Sequence, residues 1–244
     1  MKKRIWELDA LRGVCILGMV IVHFVYDLVE LYALVPMAYP KWFAFIKDWG
    51  GVLFLLLSGT CATLGSGHAR RGLVVFACGM VCTVVTLGMY LLGFAGKEMI
   101  IYFGVLHCLG VCMLLWGLFK KLPTWALAAL GAVFTAAGLW LRGQLFSFPW
   151  LTVLGFVPEG FASSDYFPLL PNLGFFLLGA AVGRTVYREK TTRLPKVNAE
   201  NPIVRFFTLC GRHSLGIYLL HQPILAGIMT LAAMIVRFEI PTNG

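Results

Sequence analysis

The chain has 244 residues, of which 59% are hydrophobic and only 13% are charged, and its formal net charge at pH 7 is +9. About a quarter of the residues of a soluble domain are charged, so this composition excludes a soluble globular protein and predicts an integral membrane protein. The basic residues lie in short clusters between apolar runs, which argues against nucleic acid as a partner.

The apolar runs are about 18 to 24 residues long, which is the length that crosses a hydrocarbon core as a helix. Lipid offers no partner to an open backbone group, so spans of this kind are helical. We therefore predict an all-α integral membrane protein, a bundle of about seven transmembrane helices in a single domain over residues 1–244. The runs cover residues 11–34, 49–66, 72–94, 100–119, 123–141, 166–186 and 206–235.

The first run follows the basic stretch "MKKRIW", as the apolar part of a secretory signal would. It is too long for a signal, holds acidic residues and lacks a small-residue cleavage site, so we expect it to remain as the first span. The last run contains Pro223, near which a helix could bend.

Two connections differ from the runs in composition. Residues 142–165 are rich in aromatic residues, Gly and Pro and poor in charge. Such a segment favours an extracytoplasmic loop or lid on the mouth of the bundle over a solvated linker. Residues 187–205 are basic and are expected to form a cytoplasmic loop.

The basic residues also predict the orientation of the bundle. With the N-terminus in the cytoplasm, fifteen of the twenty Lys and Arg residues lie on the inner side. This excess obeys the positive-inside rule and predicts a multi-pass protein of the cell membrane, in contact with the lipid bilayer. The basic surplus then reflects orientation and contact with anionic lipid or a phosphate-bearing cofactor. The residues left outside are Lys41, Lys47, Lys97, Arg142 and Arg237.

Seven cysteines lie nearly all inside the apolar runs, and an odd number in such places does not indicate a disulfide framework. Cys78 and Cys82 are one helical turn apart, as are Cys108 and Cys112, a spacing compatible with a metal site. Cysteine is also a small apolar packing residue. This second interpretation is favoured, so no metal is expected.

Ionisable residues inside the first span indicate where function lies, because such groups are costly in lipid. His23 lies about 16 Å along a helix from Arg12, near the middle of the bilayer, and Asp27 is one turn further on the same face. The Asp27 carboxylate is expected to accept a hydrogen bond from the His23 ring, which leaves the other ring nitrogen as a base toward an amine or hydroxyl. A structural polar pair that fastens two helices is the alternative.

Two more histidines lie in apolar runs, His107 in the fourth and His221 in the last. Each alone is typical of a satisfied core histidine. Three spans that present histidine at similar depth favour a shared polar cavity.

Arginines gather at the predicted cytoplasmic end of that cavity. Arg12 with Asp9, and Arg212 with His213, could bind the phosphates of a cofactor through charge-assisted hydrogen bonds. Arginine at the end of a span is also a topology anchor, and the sequence leaves both interpretations open.

Five segments, in order, carry a likeness to a known family: "RIWELDALRGVCILGMVIVHFVYDL" (4–28), "VLFLLLSGTCATLG" (52–65), "FGVLHCLGVCMLL" (103–115), "DYFPLLPNLGFFLLGAAVGR" (165–184) and "GRHSLGIYLLHQPIL" (211–225). Together they cover most of the chain. They resemble the heparan-alpha-glucosaminide N-acetyltransferase catalytic-domain family in its small bacterial form, within the wider group of transmembrane acyltransferases.

The resemblance implies acyl transfer from acyl-coenzyme A, in the first place acetyl-coenzyme A, held on the cytoplasmic side of a bacterial inner membrane. The acceptor would be an amino or hydroxyl group of a sugar-like molecule reached at or across the membrane. His23 matches the first-span histidine that this family uses for catalysis, and Arg12 lies in the "LDALRG" motif. Heparan sulfate itself is not expected to be the acceptor of so short a chain.

On these grounds we expect His23 to take a proton from the acceptor, while Asp27 orients the ring and stabilises the imidazolium. Direct transfer in a ternary complex and a transient acyl-histidine are both open routes. The acceptor or the thioester carbonyl is expected to contact four further residues: His107, Asn172, Tyr218 and His221.

Two other functions are compatible with His and Asp residues inside a membrane. A proton-coupled transporter or flippase would use them as a proton relay, but the chain shows no convincing internal repeat of the kind that many transporters carry. A noncatalytic scaffold would use them as packing groups. We also expect self-association through small-residue faces at 72–79 and 126–138, which could instead pack within the bundle.

Overall fold

The computed structural model describes residues 4–39 and 41–239, and over these residues it is helical apart from loops and a single pair of two-residue strands. The prediction of an all-α protein is confirmed. The helices are α1 (Trp6–Tyr26), α2 (Lys41–Leu64), α3 (His68–Leu91), α4 (Val105–Phe119), α5 (Thr124–Leu141), α6 (Leu169–Val186), α7 (Pro202–Arg212) and α8 (Ser214–Glu239).

Six helices of the described residues are long and apolar enough to cross a membrane, as expected of a multi-pass membrane protein. They belong to α1, α2, α3, α5, α6 and α8. α4 has 15 residues, or about 22 Å at 1.5 Å per residue, whereas a hydrocarbon core measures about 30 Å. The described chain therefore holds six candidate spans and one shorter apolar helix, where the sequence predicted about seven spans. The cytoplasmic N-terminus stays a prediction.

α1 begins earlier than the first apolar run, at Trp6, because its first turn is polar. Glu7 and Asp9 lie in that turn, where carboxylates interact favourably with the positive end of the helix dipole. After Tyr26 the helix continues into a π-helical turn, Asp27–Leu31. The helix thus begins several residues before the apolar run that hydropathy alone predicts.

The last apolar run is divided between α7 and α8, and the break lies at His213 and not near Pro223. α7 begins inside the expected basic loop at 187–205. The Asn201 side chain caps it by accepting a hydrogen bond from the backbone N–H of Ile203, and a proline occupies its first turn. α7 is amphipathic, so hydropathy averaged over the run does not separate it from α8.

The connection at 142–165 has structure of its own. Its first strand, β1 (Leu145–Phe146), pairs in parallel with β2 (Val157–Pro158). Three rings pack together with centroids 4.9 to 6.1 Å apart, those of Phe146, Phe148 and Phe156. The Tyr166 hydroxyl donates to the Thr152 carbonyl at 2.6 Å, and burial raises the pKa of Tyr166 to about 12, so it stays a donor at neutral pH. A role as a lid stays a prediction.

The chain divides into two compact units: a terminal unit of residues 1–51 and 194–244, and a central unit of residues 52–193. The terminal unit contains α1, α7 and α8, and the central unit contains α3 to α6. The expectation of one functional domain over the whole chain stays a prediction.

The core of the central unit lies between α4 and α6, where Cys108, Cys112 and Trp116 are buried in one cluster with Phe176. Glycines let helix backbones approach each other closely. A Cβ added at Gly59 would lie 1.9 Å from the carbonyl oxygen of Phe176. Close approach of this kind is typical of membrane helices.

The small-residue faces at 72–79 and 126–138 pack within the central unit. Gly72 and Gly79 lie against α4, since a Cβ there would meet atoms of that helix at 2.9 to 3.2 Å. Gly138 lies against the backbone of Pro171 at the start of α6. These faces contribute to the bundle itself, and self-association stays a prediction.

Candidate active site

α1 carries His23 in its last turn, and a backbone carbonyl of the same helix determines the tautomer of the His23 ring. Ring Nδ1 lies 2.9 Å from the backbone carbonyl of Met19. Side chains of a helix lean toward its N-terminus, which brings the ring to this carbonyl. A carbonyl only accepts, so Nδ1 carries the hydrogen and Nε2 of the neutral ring holds the lone pair. Nε2 is therefore the atom of His23 that can take a proton.

A second histidine packs against the first. The His221 ring meets the His23 ring edge to face, with centroids 4.9 Å apart. Its Nδ1 lies 2.5 Å from the carbonyl of Tyr218, whose ring is 5.5 Å from that of His221. The same tautomer argument leaves Nε2 of His221 as an acceptor, and this buried atom has no hydrogen-bond partner among the described residues. Two predicted site histidines thus form one pair.

Asp27 is buried, with 1% of its surface exposed, but its hydrogen-bond partner is not the one expected. Both carboxylate oxygens accept from the side-chain amide of Gln222, at 3.2 and 2.9 Å. The predicted hydrogen bond from the His23 ring is wrong, because that ring leans toward the N-terminus of α1, away from Asp27.

Gln222 is a site residue that the sequence interpretation missed. Its signal was an amide directly after His221 inside an apolar run. Besides donating to Asp27, it holds a buried Oε1 with no partner among the described residues. Oε1 of Gln222 and Nε2 of His221 are thus two buried acceptors on one turn of α8, and buried acceptors without donors call for an explanation. A hydroxyl or amine of a bound molecule would satisfy them.

We expect Gln222→Met to lower the free energy of unfolding by about 2 kcal/mol, because it leaves a buried carboxylate without its donor. Gln144 is exposed, so Gln144→Met is the matched control and should change little. Chemical unfolding of the detergent-solubilised protein measures both. Equal stability of the two variants would contradict the structural assignment of the Asp27–Gln222 contact.

The second group of predicted residues meets at Asp9, which is 5% exposed. Arg12 Nη1 lies 3.2 Å from Oδ1, and Arg212 Nε lies 3.7 Å from Oδ2. Arg4, which the sequence interpretation did not include, adds its Nε at 3.2 Å from Oδ2. Three arginines thus surround the single Asp9 carboxylate. The side chains of Arg4 and Arg212 are 62% and 44% exposed, so both guanidinium groups are accessible to a ligand.

A cleft of about 400 Å³ adjoins this cluster, and its lining includes Arg205 and Arg212 together with Trp6, Thr208 and the carboxylate of Glu200. Arg205 was not predicted either, although it lies seven residues before Arg212 and hence on the same face of α7. His213 is exposed at the junction of α7 and α8. Cations beside a cleft suit the phosphates of a nucleotide-like cofactor.

His107 and Asn172 belong to the central unit, and their hydrogen bonds are those of structural residues. The His107 ring accepts from the Gly104 backbone N–H at 3.1 Å through Nδ1, and its Nε2 lies 3.3 Å from the Thr83 hydroxyl. The Asn172 amide donates to the Pro168 carbonyl at 2.7 Å. For His107 this is the core alternative that the sequence left open.

The seven cysteines are all free thiols. The sulfurs of Cys108 and Cys112 are 4.0 Å apart in the buried core of the central unit. Over residues 4–39 and 41–239, no group of three or more His, Cys, Asp or Glu side chains is arranged to hold a metal ion.

The model of one protein family, described as heparan-alpha-glucosaminide N-acetyltransferase, catalytic, matches residues 4–223. Neither the comparison with curated proteins nor the comparison with solved structures finds a significant match. The family match spans nearly the whole chain and includes both the His23–His221 pair and the Asp9 cluster. The chain therefore belongs to the heparan-alpha-glucosaminide N-acetyltransferase catalytic-domain family.

Proposed function

We propose that this membrane protein transfers an acyl group, in the first place acetyl, from acyl-coenzyme A to an amino or hydroxyl group of a sugar-like acceptor. Its family indicates an acetyltransferase-type enzyme. The observation that carries the proposal is the His23 ring, whose Nδ1 is held by the Met19 carbonyl so that Nε2 is the basic atom. A base oriented in this way at membrane depth is what acyl transfer to a weak nucleophile requires.

In the proposed reaction the acceptor nitrogen or oxygen attacks the thioester carbonyl carbon. His23 Nε2 takes the proton that this nucleophile loses, the new C–N or C–O bond forms, and the C–S bond breaks. The proton then passes to the leaving sulfur, so the products are the acylated acceptor and free coenzyme A. The Asp27 carboxylate stabilises the imidazolium that exists between the two proton transfers.

A transient acyl-histidine gives the same products in two steps. Nε2 of His23 attacks the thioester first, and coenzyme A leaves as its thiolate, which takes a proton from solvent. The acceptor then attacks the acyl-imidazolium, and its proton passes through the released ring to solvent. Both routes use the tautomer held by Met19.

The acceptor would lie against His221 and Tyr218, with Gln222 as an addition to the predicted set. Nε2 of His221 and Oε1 of Gln222 are buried acceptors without described partners, so they suit the N–H or O–H groups of an amino sugar or sugar alcohol. His107 and Asn172 take a supporting role in this proposal, because they hold backbone groups of the central unit.

The donor phosphates would lie at the cluster of Asp9, Arg12 and Arg212, near His213. The three arginines of the cluster and the adjoining cleft support this assignment. With the N-terminus in the cytoplasm of a bacterial cell, donor binding would occur on the side where acyl-coenzyme A is made.

We expect Arg212→Gln to raise the Kd of acetyl-coenzyme A about tenfold, the effect of one charge-assisted hydrogen bond. Arg188 is exposed and lies in the central unit, so Arg188→Gln is the matched control and should keep the wild-type Kd. Isothermal titration of the purified protein measures both. Equal affinities of the two variants would remove the Asp9 cluster from the donor site.

The test of the function itself is the release of free coenzyme A from acetyl-coenzyme A by the purified protein, across a panel of amino sugars and sugar alcohols. Acceptor-dependent release by the wild type supports the acyltransferase. A protein that neither binds nor consumes any acyl-coenzyme A would overturn the proposal and redirect attention to proton-coupled transport.

A further inference from the structure

A second basic cleft lies within the central unit, and none of its lining residues belongs to the histidine pair or the Asp9 cluster. It measures about 460 Å³ and is lined by the α2–α3 turn, the end of α4 and the end of α6. The side chains that give it its character are His68, Trp116, Lys120 and Arg184. No step of the proposed acyl transfer uses this cleft.

Arg184 is held in place before any ligand binds. Its guanidinium lies over the buried Trp116 ring, 5.4 Å from the ring centroid, and donates to the backbone carbonyls of Leu122 and Lys120 in the turn that joins α4 to α5. A guanidinium has five N–H donors, so these bonds leave donors for a ligand. A planar, pre-oriented guanidinium suits the oxygens of a phosphate.

The start of α3 adds further positive potential to the same cleft. Gly67, with φ of +77°, is the N-cap and supplies no side-chain acceptor for the first N–H groups of this 24-residue helix. Those groups carry the positive end of the helix dipole. His68, the first residue of this helix, also lines the cleft.

No described carboxylate is paired with these cations. The ion pairs of Asp9 belong to the terminal unit and do not involve Arg184 or Lys120. The cleft therefore combines a preset guanidinium, a lysine, a histidine and a helix N-terminus around a space that can hold a phosphate. We propose that this cleft binds a phosphate group, carried either by a nucleotide or by the headgroup of an anionic phospholipid.

Lys120 is the residue to change, because its side chain is exposed and its loss leaves the core intact. The neighbouring Lys121 is also exposed but does not line the cleft, so Lys121→Gln is the matched control. We expect Lys120→Gln to weaken phosphate binding about tenfold, and Lys120→Arg to retain it.

Two probes distinguish the sources of the phosphate. Adenosine 3′,5′-bisphosphate, titrated into the full-length protein, represents the nucleotide, and phosphatidylglycerol adducts counted by native mass spectrometry, with phosphatidylcholine for comparison, represent the headgroup. The titration is repeated with Arg212→Gln present, so that the Asp9 cluster does not mask the cleft. Both arms measure binding, so failure of the acyltransferase proposal leaves them interpretable.

Selective weakening of bisphosphate binding in Lys120→Gln assigns the cleft to the nucleotide, and selective loss of phosphatidylglycerol adducts assigns it to the headgroup. Either result supports the proposal, as does weakening of both. If Lys120→Gln binds both probes as tightly as Lys121→Gln does, the proposal is overturned.

Discussion

A His23→Asn variant is expected to bind acetyl-coenzyme A as tightly as the wild type and to transfer its acetyl group about 10²- to 10⁴-fold more slowly. The amide nitrogen of asparagine can donate to the Met19 carbonyl much as ring Nδ1 does at 2.9 Å. It supplies no basic nitrogen in place of Nε2. The substitution therefore removes the proposed base and keeps the local hydrogen bond.

His23→Gln makes the opposite change. The glutamine amide reaches the position of ring Nε2, but it no longer donates to the Met19 carbonyl. If His23 is the base, both variants lose turnover. If it only fastens α1 through the Met19 contact, His23→Asn keeps wild-type turnover, and the catalytic assignment fails. Unfolding midpoints of both variants separate loss of the base from loss of the fold.

The wild type and His23→Asn together also distinguish direct acyl transfer from the acyl-histidine route. Wild-type protein incubated with acetyl-coenzyme A alone, in the absence of acceptor, is expected to gain an acetyl group on His23 if the acyl-histidine route operates. Peptide mass spectrometry locates the modification, and His23→Asn is the control that cannot carry it. An unmodified wild type that still turns over with acceptor favours direct transfer.

Most of the helices could be predicted from the sequence because helix formation depends on local pattern. Hydrophobic runs reflect the lipid around each helix, whereas the depth of His23 in the membrane stays a prediction. The contact between His23 and His221 joins residues almost two hundred positions apart, at ring centroids 4.9 Å from each other. A shared cavity was predicted from histidines in several spans, but which of them meet depends on how α1 and α8 pack.

His107 illustrates why the same pattern can have two meanings. Its place in an apolar run resembles that of His23, yet its ring accepts from the Gly104 N–H and faces the Thr83 hydroxyl. The first partner lies at the start of α4, and the second lies on α3. Residue spacing does not distinguish a histidine that caps a helix from one that acts as a base. The hydrogen-bond partners of the ring decide this, and they come from other parts of the chain.

Asp27 was predicted with the wrong partner for a related reason. Spacing of four residues places Asp27 on the face of His23, but side-chain direction and the competing donor from Gln222 decide the hydrogen bond. Likewise, α7 was not separated from the last apolar run, because hydropathy averaged over that run hides the amphipathic character of this short helix. Neither error concerns the apolar character of the segments.

Gly211→Ala is expected to destabilise the protein by about 1 to 3 kcal/mol, the usual cost of overpacking, and to weaken binding of acetyl-coenzyme A. A Cβ at this position of α7 would lie 1.8 Å from the carbonyl oxygen of Asp9, and one at Gly13 of α1 would lie 1.9 Å from that of Phe207. The two helices cross with their backbones in contact. Any added methyl group forces them apart.

That separation acts on the proposed donor site directly, because Arg212 follows Gly211 and pairs with Asp9 at 3.7 Å. Gly216→Ala is the matched control, since a Cβ there meets nothing within 4 Å and alanine gains up to about 1 kcal/mol over glycine inside a helix. Unfolding midpoints and titration with acetyl-coenzyme A compare the two. If Gly211→Ala and Gly216→Ala have the same stability and the same affinity for acetyl-coenzyme A, the α1–α7 crossing does not position the Asp9 cluster. If Gly211→Ala alone loses both stability and affinity, donor binding depends on this helix contact.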